Sequence, residues 1–268
     1  MTILITGSAG FIGFHTARYL LDRGDTVVGI DNFNDYNDPK IKEKRNSILE
    51  KHKGFKVYRK SIADYEALKK IFDIEKPDHV IHLAAQAGVR YSLKNPWAYA
   101  DSNYVGTLNI FEAAHAHSIH SVTYASSSSV YGKNTKTPFA ESDRTDTPIS
   151  TYAASKKANE LLAYSYHHLY KMNMIGLRFF TVYGEFYRLD MALFKFAKNI
   201  FLGKPITLHG KGKMLREFTH VDDIVRGIVA TIDKKITGYK IYNLGGGETV
   251  QLMKFLKLTI SCCFSIKW

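Results

Sequence analysis

The chain has 268 residues and carries 37 Lys and Arg against 25 Asp and Glu, a formal net charge of +12. That length buries about three quarters of the unfolded surface, and 45% hydrophobic with 23% charged residues excludes a disordered polyelectrolyte and a disulfide-stapled miniprotein. No apolar run reaches the roughly 18 residues that a membrane span needs.

Residues 3–6 form the first β-branched run. Met1 opens it with no basic leader, which argues against a signal peptide and makes the cytoplasm the expected location. A helical pattern over 11–23 leads to a strand at 26–30. Next comes a basic cluster, Lys40, Lys42, Lys44 and Arg45 with Glu43 inside it. Its spacing suits a solvated helix face better than a stripe tracking phosphates, so neither nucleic acid nor a membrane is an expected partner. Strands at 56–58, 79–83, 121–125 and 174–179 then alternate with helical patterns at 65–72, 97–117 and 152–170. Strand–helix alternation at this pitch predicts an α/β fold, a Rossmann-type doubly wound parallel sheet covered on both faces, over residues 1–180. Helices at 191–201 and 222–233, around a stretch containing Gly203, Gly210 and Gly212, predict a smaller, incomplete substrate domain over 181–268. A strand near 240–244 is expected to return to the sheet. Cys262 and Cys263 are adjacent, which suits neither a disulfide nor a metal site, so a reducing compartment and no metal are expected.

The first strand runs into T-G-S-A-G-F-I-G and then a helix, with Gly7, Gly10 and Gly13 three apart. Glycine permits the tight turn, the close approach of backbone to a pyrophosphate and the packing of helix on strand. The helix start, at Phe11 and Ile12, then offers free N–H groups to the phosphates. Asp31 ends the second strand, followed by Asn32. A carboxylate there accepts from ribose hydroxyls and repels a 2′-phosphate, favouring NAD over NADP; the alternative is an ordinary turn residue.

Tyr152 and Lys156 are four residues apart, on one face of a helix. A phenol titrates near pH 10. A neighbouring ammonium and a cationic nicotinamide should draw that value toward neutrality, giving a tyrosine that accepts and returns an alcohol proton. Ser126, Ser127, Ser128 and Ser129 end the preceding strand; their hydroxyls can bind a substrate oxygen, or simply form a turn.

With these elements in place, the sequence resembles the extended short-chain dehydrogenase/reductase family of NAD-dependent epimerases and dehydratases, over nearly all of residues 1–255. The resemblance includes H-L-A-A-Q-A-G-V-R-Y-S from His82, D-S-N-Y-V-G-T-L-N from Asp101, S-S-S-V-Y-G from Ser127 and R-E-F-T-H-V-D-D-I from Arg216. It implies Ser127, Tyr152 and Lys156 as the catalytic residues. Ile62, Leu83, Ala84, Ala85, Gln86 and Asn103 are implied along the cofactor. F-F-T-V-Y-G and R-L-D-M-A-L-F-K-F look like the sugar-binding stretch of UDP-glucuronate 4-epimerases. There Thr181 and Arg188 are implied to hold the C6 carboxylate, Ser128 and Ser129 to line the sugar, Arg216 to reach the UDP phosphates, and Thr207 to His209 to lie beside the nucleotide. The implied reaction inverts C4 of UDP-glucuronate through a 4-keto intermediate, giving UDP-galacturonate. The resemblance also implies a homodimer built on a four-helix bundle from the helices at 97–117 and 152–170.

Three departures from the family pattern stand out. Ser61 occupies a position where the family usually has Asp, although Ile62 and Asp64 fit. Glu185, Phe186 and Tyr187 interrupt a loop that usually holds Pro and Gly. After Y-N-L-G the chain continues for only 23 residues. The tail is therefore expected to leave the small domain without its covering layer, exposing apolar surface and weakening UDP-sugar binding. An inactive or weakly active truncated NAD-binding relative is one alternative reading. A nucleotide-sugar dehydratase or decarboxylase is another, disfavoured because Ser128 and Ser129 stand where those enzymes carry a carboxylate.

Overall fold

The computed structural model describes residues 1–208, 212 and 214–265, the side chains of 262–265 excepted. His209, Gly210 and the Cys262 and Cys263 side chains lie outside the described residues.

In β1 (Thr2–Thr6), Ile3 and Ile5 enter one apolar cluster and Leu4 the other. In β2 (Thr26–Ile30), Val27 and Val28 divide in the same way. Successive strand side chains point to opposite faces, so strands apolar on both sides must be sandwiched between helices. The main sheet has the order β3-β2-β1-β4-β5-β6-β9. It is completed by β3 (Phe55–Tyr58), β4 (His79–His82), β5 (Ser121–Ser127), β6 (Asn173–Phe179) and β9 (Tyr239–Leu244), and every neighbouring pair is parallel. Strand order reverses between β1 and β4, which opens a crevice at their C-terminal ends.

One apolar layer joins the sheet to α1 (Phe11–Asp22), α2 (Pro39–Leu49) and α8 (Val221–Asp233). The other joins it to α3 (Tyr65–Glu75), α5 (Gly106–Ala116) and α6 (Thr151–Tyr170). Each buried Ile, Leu or Phe in these layers contributes about 1.5–3 kcal/mol. Asp64 caps α3 and Ser150 caps α6, accepting from the Ala67 and Ala153 amides at 3.0 and 3.1 Å. The helix expected over 97–117 is interrupted. After α4 (Trp97–Tyr99) comes a π-helical segment, Ala100–Val105, which turns Asn103 inward before α5 begins.

A second, three-stranded sheet has the order β10-β8-β7, from β10 (Thr249–Gln251), β8 (Leu215–His220) and β7 (Thr181–Tyr183). The strand expected near 240–244 is β9, paired with β6. The helix at 222–233, expected in the small domain, is instead α8 on the main layer against α1: Ile224, Val225, Ile228 and Val229 are buried with Phe14, Ala17 and Leu21. Its apolar stripe matches that of α1. The tail also does more than expected. Leu252 and Leu256 of α9 (Leu252–Ser265) are buried with Phe196 of α7 (Ala192–Phe201), and Phe255 stacks on Phe218 at 4.1 Å. Leu215, Leu258 and Phe201 nonetheless remain exposed.

The expectation of a solvated basic face on α2 holds for Lys40 and Lys44 but fails for Lys42 and Arg45, which are buried. Their spacing turns them inward, where Lys42 meets Asp31 at 3.4 Å and Arg45 donates to backbone carbonyls of two loops.

A buried charge pair fixes α6 to the sheet. Arg178 on β6 donates to Glu160 through Nε at 2.8 Å and Nη2 at 2.9 Å, and Ser126 Oγ donates to the same carboxylate at 2.7 Å. Burial pushes the Glu160 pKa up, but the Arg178 and Ser126 hydrogen bonds outweigh it and hold the group below the usual carboxylate range. That stabilisation is complete above the unfolded carboxylate pKa and fades as pH falls through the lower folded value. Arg178→Met leaves Glu160 buried without its partner and should cost about 3–5 kcal/mol near pH 7 by urea denaturation. The deficit should shrink as pH falls through the carboxylate range, where Glu160 of the variant takes a proton.

Candidate active site

The crevice is built from loops at the C-terminal ends of parallel strands. Gly7 leaves β1 with φ +73°, and a Cβ there would meet the Ala84 backbone after β4 at 2.8 Å. A Cβ on Gly13 would overlap the Gly7 carbonyl oxygen. Only glycine fits either place, so turn, helix and β4 loop close on one another. Gly10 is the N-cap of α1 and supplies no side-chain cap. The first N–H groups of that helix thus remain for an anion. Phe11 and Ile12 pack in the core and hold this helix end in place.

Asp31 ends β2 with its carboxylate accepting from the Ala9 amide at 3.2 Å and the Phe33 amide at 2.8 Å. Asn32 is exposed beside it. Ser61, Ile62 and Asp64 lie on the loop after β3: the Ile62 carbonyl accepts from Asn109, and Asp64 is spent as the cap of α3. Thr6 Oγ1 accepts from the Ala84 amide at 3.1 Å and pairs with His82 at 2.7 Å, fixing the 83–86 loop over the turn. Asn103 is fully buried. Its amide accepts from the Gln86 N–H at 2.8 Å and donates to the Gln86 carbonyl at 3.1 Å and to Ser155 Oγ at 2.9 Å. Its three bonds tie the loop to α6, so Asn103 positions its neighbours from beneath. The glycine turn, the open helix end and the Asp31 carboxylate just past the second strand fit an NAD pyrophosphate and adenosine.

Across the crevice, Tyr152 lies near the start of α6, with Ser127 against its hydroxyl. Lys156 is buried one turn on and donates to the Ala125 carbonyl at 2.8 Å. Burial pushes the Lys156 pKa down to about 8. The expected acidification of the phenol by Lys156 is absent in the protein alone: burial raises the Tyr152 pKa, and the Ser127 hydroxyl and the Arg188 charge offset this only in part. The physical reason is that removing a phenolate from water costs more than these neighbours return. Tyr99, itself buried, braces the Tyr152 ring edge-on at 6.1 Å.

Arg188 is brought to this phenol by the loop after β7, close enough that its charge favours phenolate. Thr181, on β7, is half-buried, and Ser128 and Ser129 form the turn after Ser127. Thr207 and Arg216 are exposed on the small sheet's side of the chain, Arg216 donating to its neighbour's carbonyl at 2.8 Å. The residues missed from sequence are those that hold the site. Arg45 clamps the Ala9 carbonyl at 3.0 Å and the Phe186 carbonyl, joining the glycine turn to the Arg188 loop. Burial pushes its pKa down to about 10. Tyr36 and Asp190 lie on loops after β2 and β7 and meet at 3.1 Å. The R-x-D spacing of Arg188 and Asp190 was the available signal. Among the described residues no helix is long and apolar enough to cross a membrane, and no cluster of three metal-ligating side chains occurs.

Gly13→Ala should weaken NAD binding on the order of 10–100-fold, because the methyl group displaces the turn that approaches the pyrophosphate. Calorimetry measures this, with the urea midpoint recording any cost to the fold.

Comparison with known proteins places this geometry. The model of the NAD dependent epimerase/dehydratase family matches residues 3–245. An uncharacterized protein of Methanocaldococcus jannaschii is 55% identical over 258 residues, covering 96% of this chain and 79% of the relative. A probable UDP-glucuronate 4-epimerase of Rhizobium meliloti is 47% identical, covering 96% of this chain and 81% of its own. The crystal structure of the Bacillus cereus UDP-glucuronic acid 4-epimerase, in complex with UDP-glucuronic acid and NAD, superposes with a TM-score of 0.92 at 34% identity, covering 100% of this chain and 84% of that one. The chain belongs to the NAD-dependent epimerase/dehydratase family, with NAD as its cofactor.

Proposed function

We propose that the sugar this chain works on is UDP-glucuronate. The chain is an NAD-dependent nucleotide-sugar 4-epimerase, and the finer reading adds that the sugar carries a C6 carboxylate and leaves as UDP-galacturonate. The observation that carries it is Arg188, a permanently charged guanidinium held beside the Tyr152 phenol. A guanidinium pairs with a carboxylate in two prongs, which suits a uronate and gains nothing from the neutral hydroxymethyl of a hexose.

In the proposed mechanism the glycine turn and Asp31 would hold NAD, which when bound would supply a reversible acceptor for the C4 hydride. Tyr152 takes the C4 hydroxyl proton as that hydride leaves and gives it back as the ketone is reduced. Ser127 hydrogen-bonds the same oxygen. Lys156, anchored on the Ala125 carbonyl, keeps a positive charge under this end of the site up to about pH 8. Thr181 and Arg188 hold the carboxylate while the 4-keto sugar turns, and Arg216 and Thr207 meet the UDP. Asp31 and the turn residues Gly7, Gly10 and Gly13 hold the cofactor. Leu108, Leu161, Tyr164 and Leu169, exposed on α5 and α6, support the further proposal that a second copy covers these helices.

The purified chain, incubated with UDP-glucuronate, should yield the C4 epimer on separation of the products. A UDP-pentose or a stable 4-keto-6-deoxy sugar would overturn the reading in favour of a decarboxylase or dehydratase. Tyr152→Phe should lower turnover by about 10²–10⁴.

A further inference from the structure

We propose that Asp190, supported by Tyr36, is a positioning residue that turns one edge of Arg188 toward the sugar carboxylate and thereby sets the preference for a uronate over a neutral hexose. The inference rests on the carboxylate-binding reading of Arg188.

A guanidinium has two edges that can each form a two-pronged pair: the side, from Nε and one terminal nitrogen, and the end, from both terminal nitrogens. Asp190 occupies the side. Its Oδ1 accepts from Arg188 Nε at 3.0 Å and its Oδ2 from Nη2 at 2.6 Å. Among the described residues no hydrogen bond reaches Arg188 Nη1. The end therefore remains for a second carboxylate, and its direction is fixed by the first. An arginine without such a partner would hold many rotamers, and a ligand would have to order it on arrival.

Asp190 is in turn held. Tyr36 donates to Oδ2 at 3.1 Å, and its hydroxyl rests on Gly88, which has φ +100° and no room for a Cβ. The Tyr36 ring packs on Tyr91 at 4.6 Å, and Tyr91 on Tyr99 at 6.4 Å, the ring that braces Tyr152. Loops after β2 and β7 thus meet at one carboxylate, and the loop after β4 packs against the Tyr36 that reaches it. Burial works against ionising Asp190, but its bonds to Arg188 win and keep it charged. A single acid placed two residues from the arginine would suffice to neutralise it. The added Tyr36 bond and the glycine that admits it serve orientation.

The test is calorimetric binding of UDP-glucuronate and UDP-glucose to the NAD-loaded chain and to four variants. Asp190→Asn retains the shape but replaces one acceptor with a donor. It should lose about tenfold more affinity for UDP-glucuronate than for UDP-glucose. Tyr36→Phe should shift the same ratio in the same direction by a few-fold, and Asp190→Glu, which keeps the carboxylate, should recover most of the loss. Equal loss for both sugars, or no rescue by Asp190→Glu, would overturn the positioning role. If Asp190→Asn does not fold, Tyr36→Phe decides: an unchanged ratio rejects the role. Arg188→Ala separates the two readings. If it leaves the uronate preference intact, the carboxylate reading itself fails. If it abolishes the preference while Asp190→Asn and Tyr36→Phe leave it unchanged, only the role of Asp190 and Tyr36 fails.

Discussion

In the proposed mechanism a helix carrying the Tyr152 phenol must be held at fixed distance from the strand carrying the buried Ser127 hydroxyl. The pairing of Glu160 with Arg178 meets this constraint. Glu160 lies two turns beyond Tyr152 on α6, and Arg178 faces Ser126 across the β5–β6 pairing. The carboxylate therefore binds the strand bearing Ser126 and Ser127 and the strand next to it at once. Lys156 adds a third point of attachment through the Ala125 carbonyl. Two charges that are costly to bury singly become a rigid joint when every donor and acceptor is matched.

That rigidity has an electrostatic consequence. The phenol sits in a place where burial raises its pKa, and the fixed neighbours only partly oppose this. The protein alone holds Tyr152 protonated at neutral pH. In the proposed mechanism the cationic ring of NAD, when bound, would supply the further positive charge that the phenolate needs. Arg188 adds to the same field, with its charge balanced by Asp190.

The loops show why the C-terminal ends of the strands, and not the opposite ends, carry the chemistry. Parallel strands send all their exits to one side, so residues far apart in sequence converge there. Tyr36 reaches Asp190 across 154 positions, and Arg45 reaches Phe186 across 141. Through Arg45, which also holds the Ala9 carbonyl, these contacts join the glycine turn to the loop that carries Arg188. They also explain two buried cations on a helix that otherwise faces solvent: Lys42 and Arg45 are placed by the need for counter-charge and donors at the crevice floor.

The main sheet, the glycine turn and the Tyr152–Lys156 pair are legible along the chain, because each depends on local periodicity or on spacing between near neighbours. Apolar alternation marks strands sandwiched on both faces, and a four-residue step puts two side chains on one helix face whatever surrounds it. Tertiary structure decided the rest. That α8 joins the main layer, that Asn103 is turned inward by a π segment, and that Asp190 selects an edge of Arg188 all depend on which distant residues meet. So does the direction of the Tyr152 pKa, since desolvation is a property of the packed environment and no residue pattern along the chain records it.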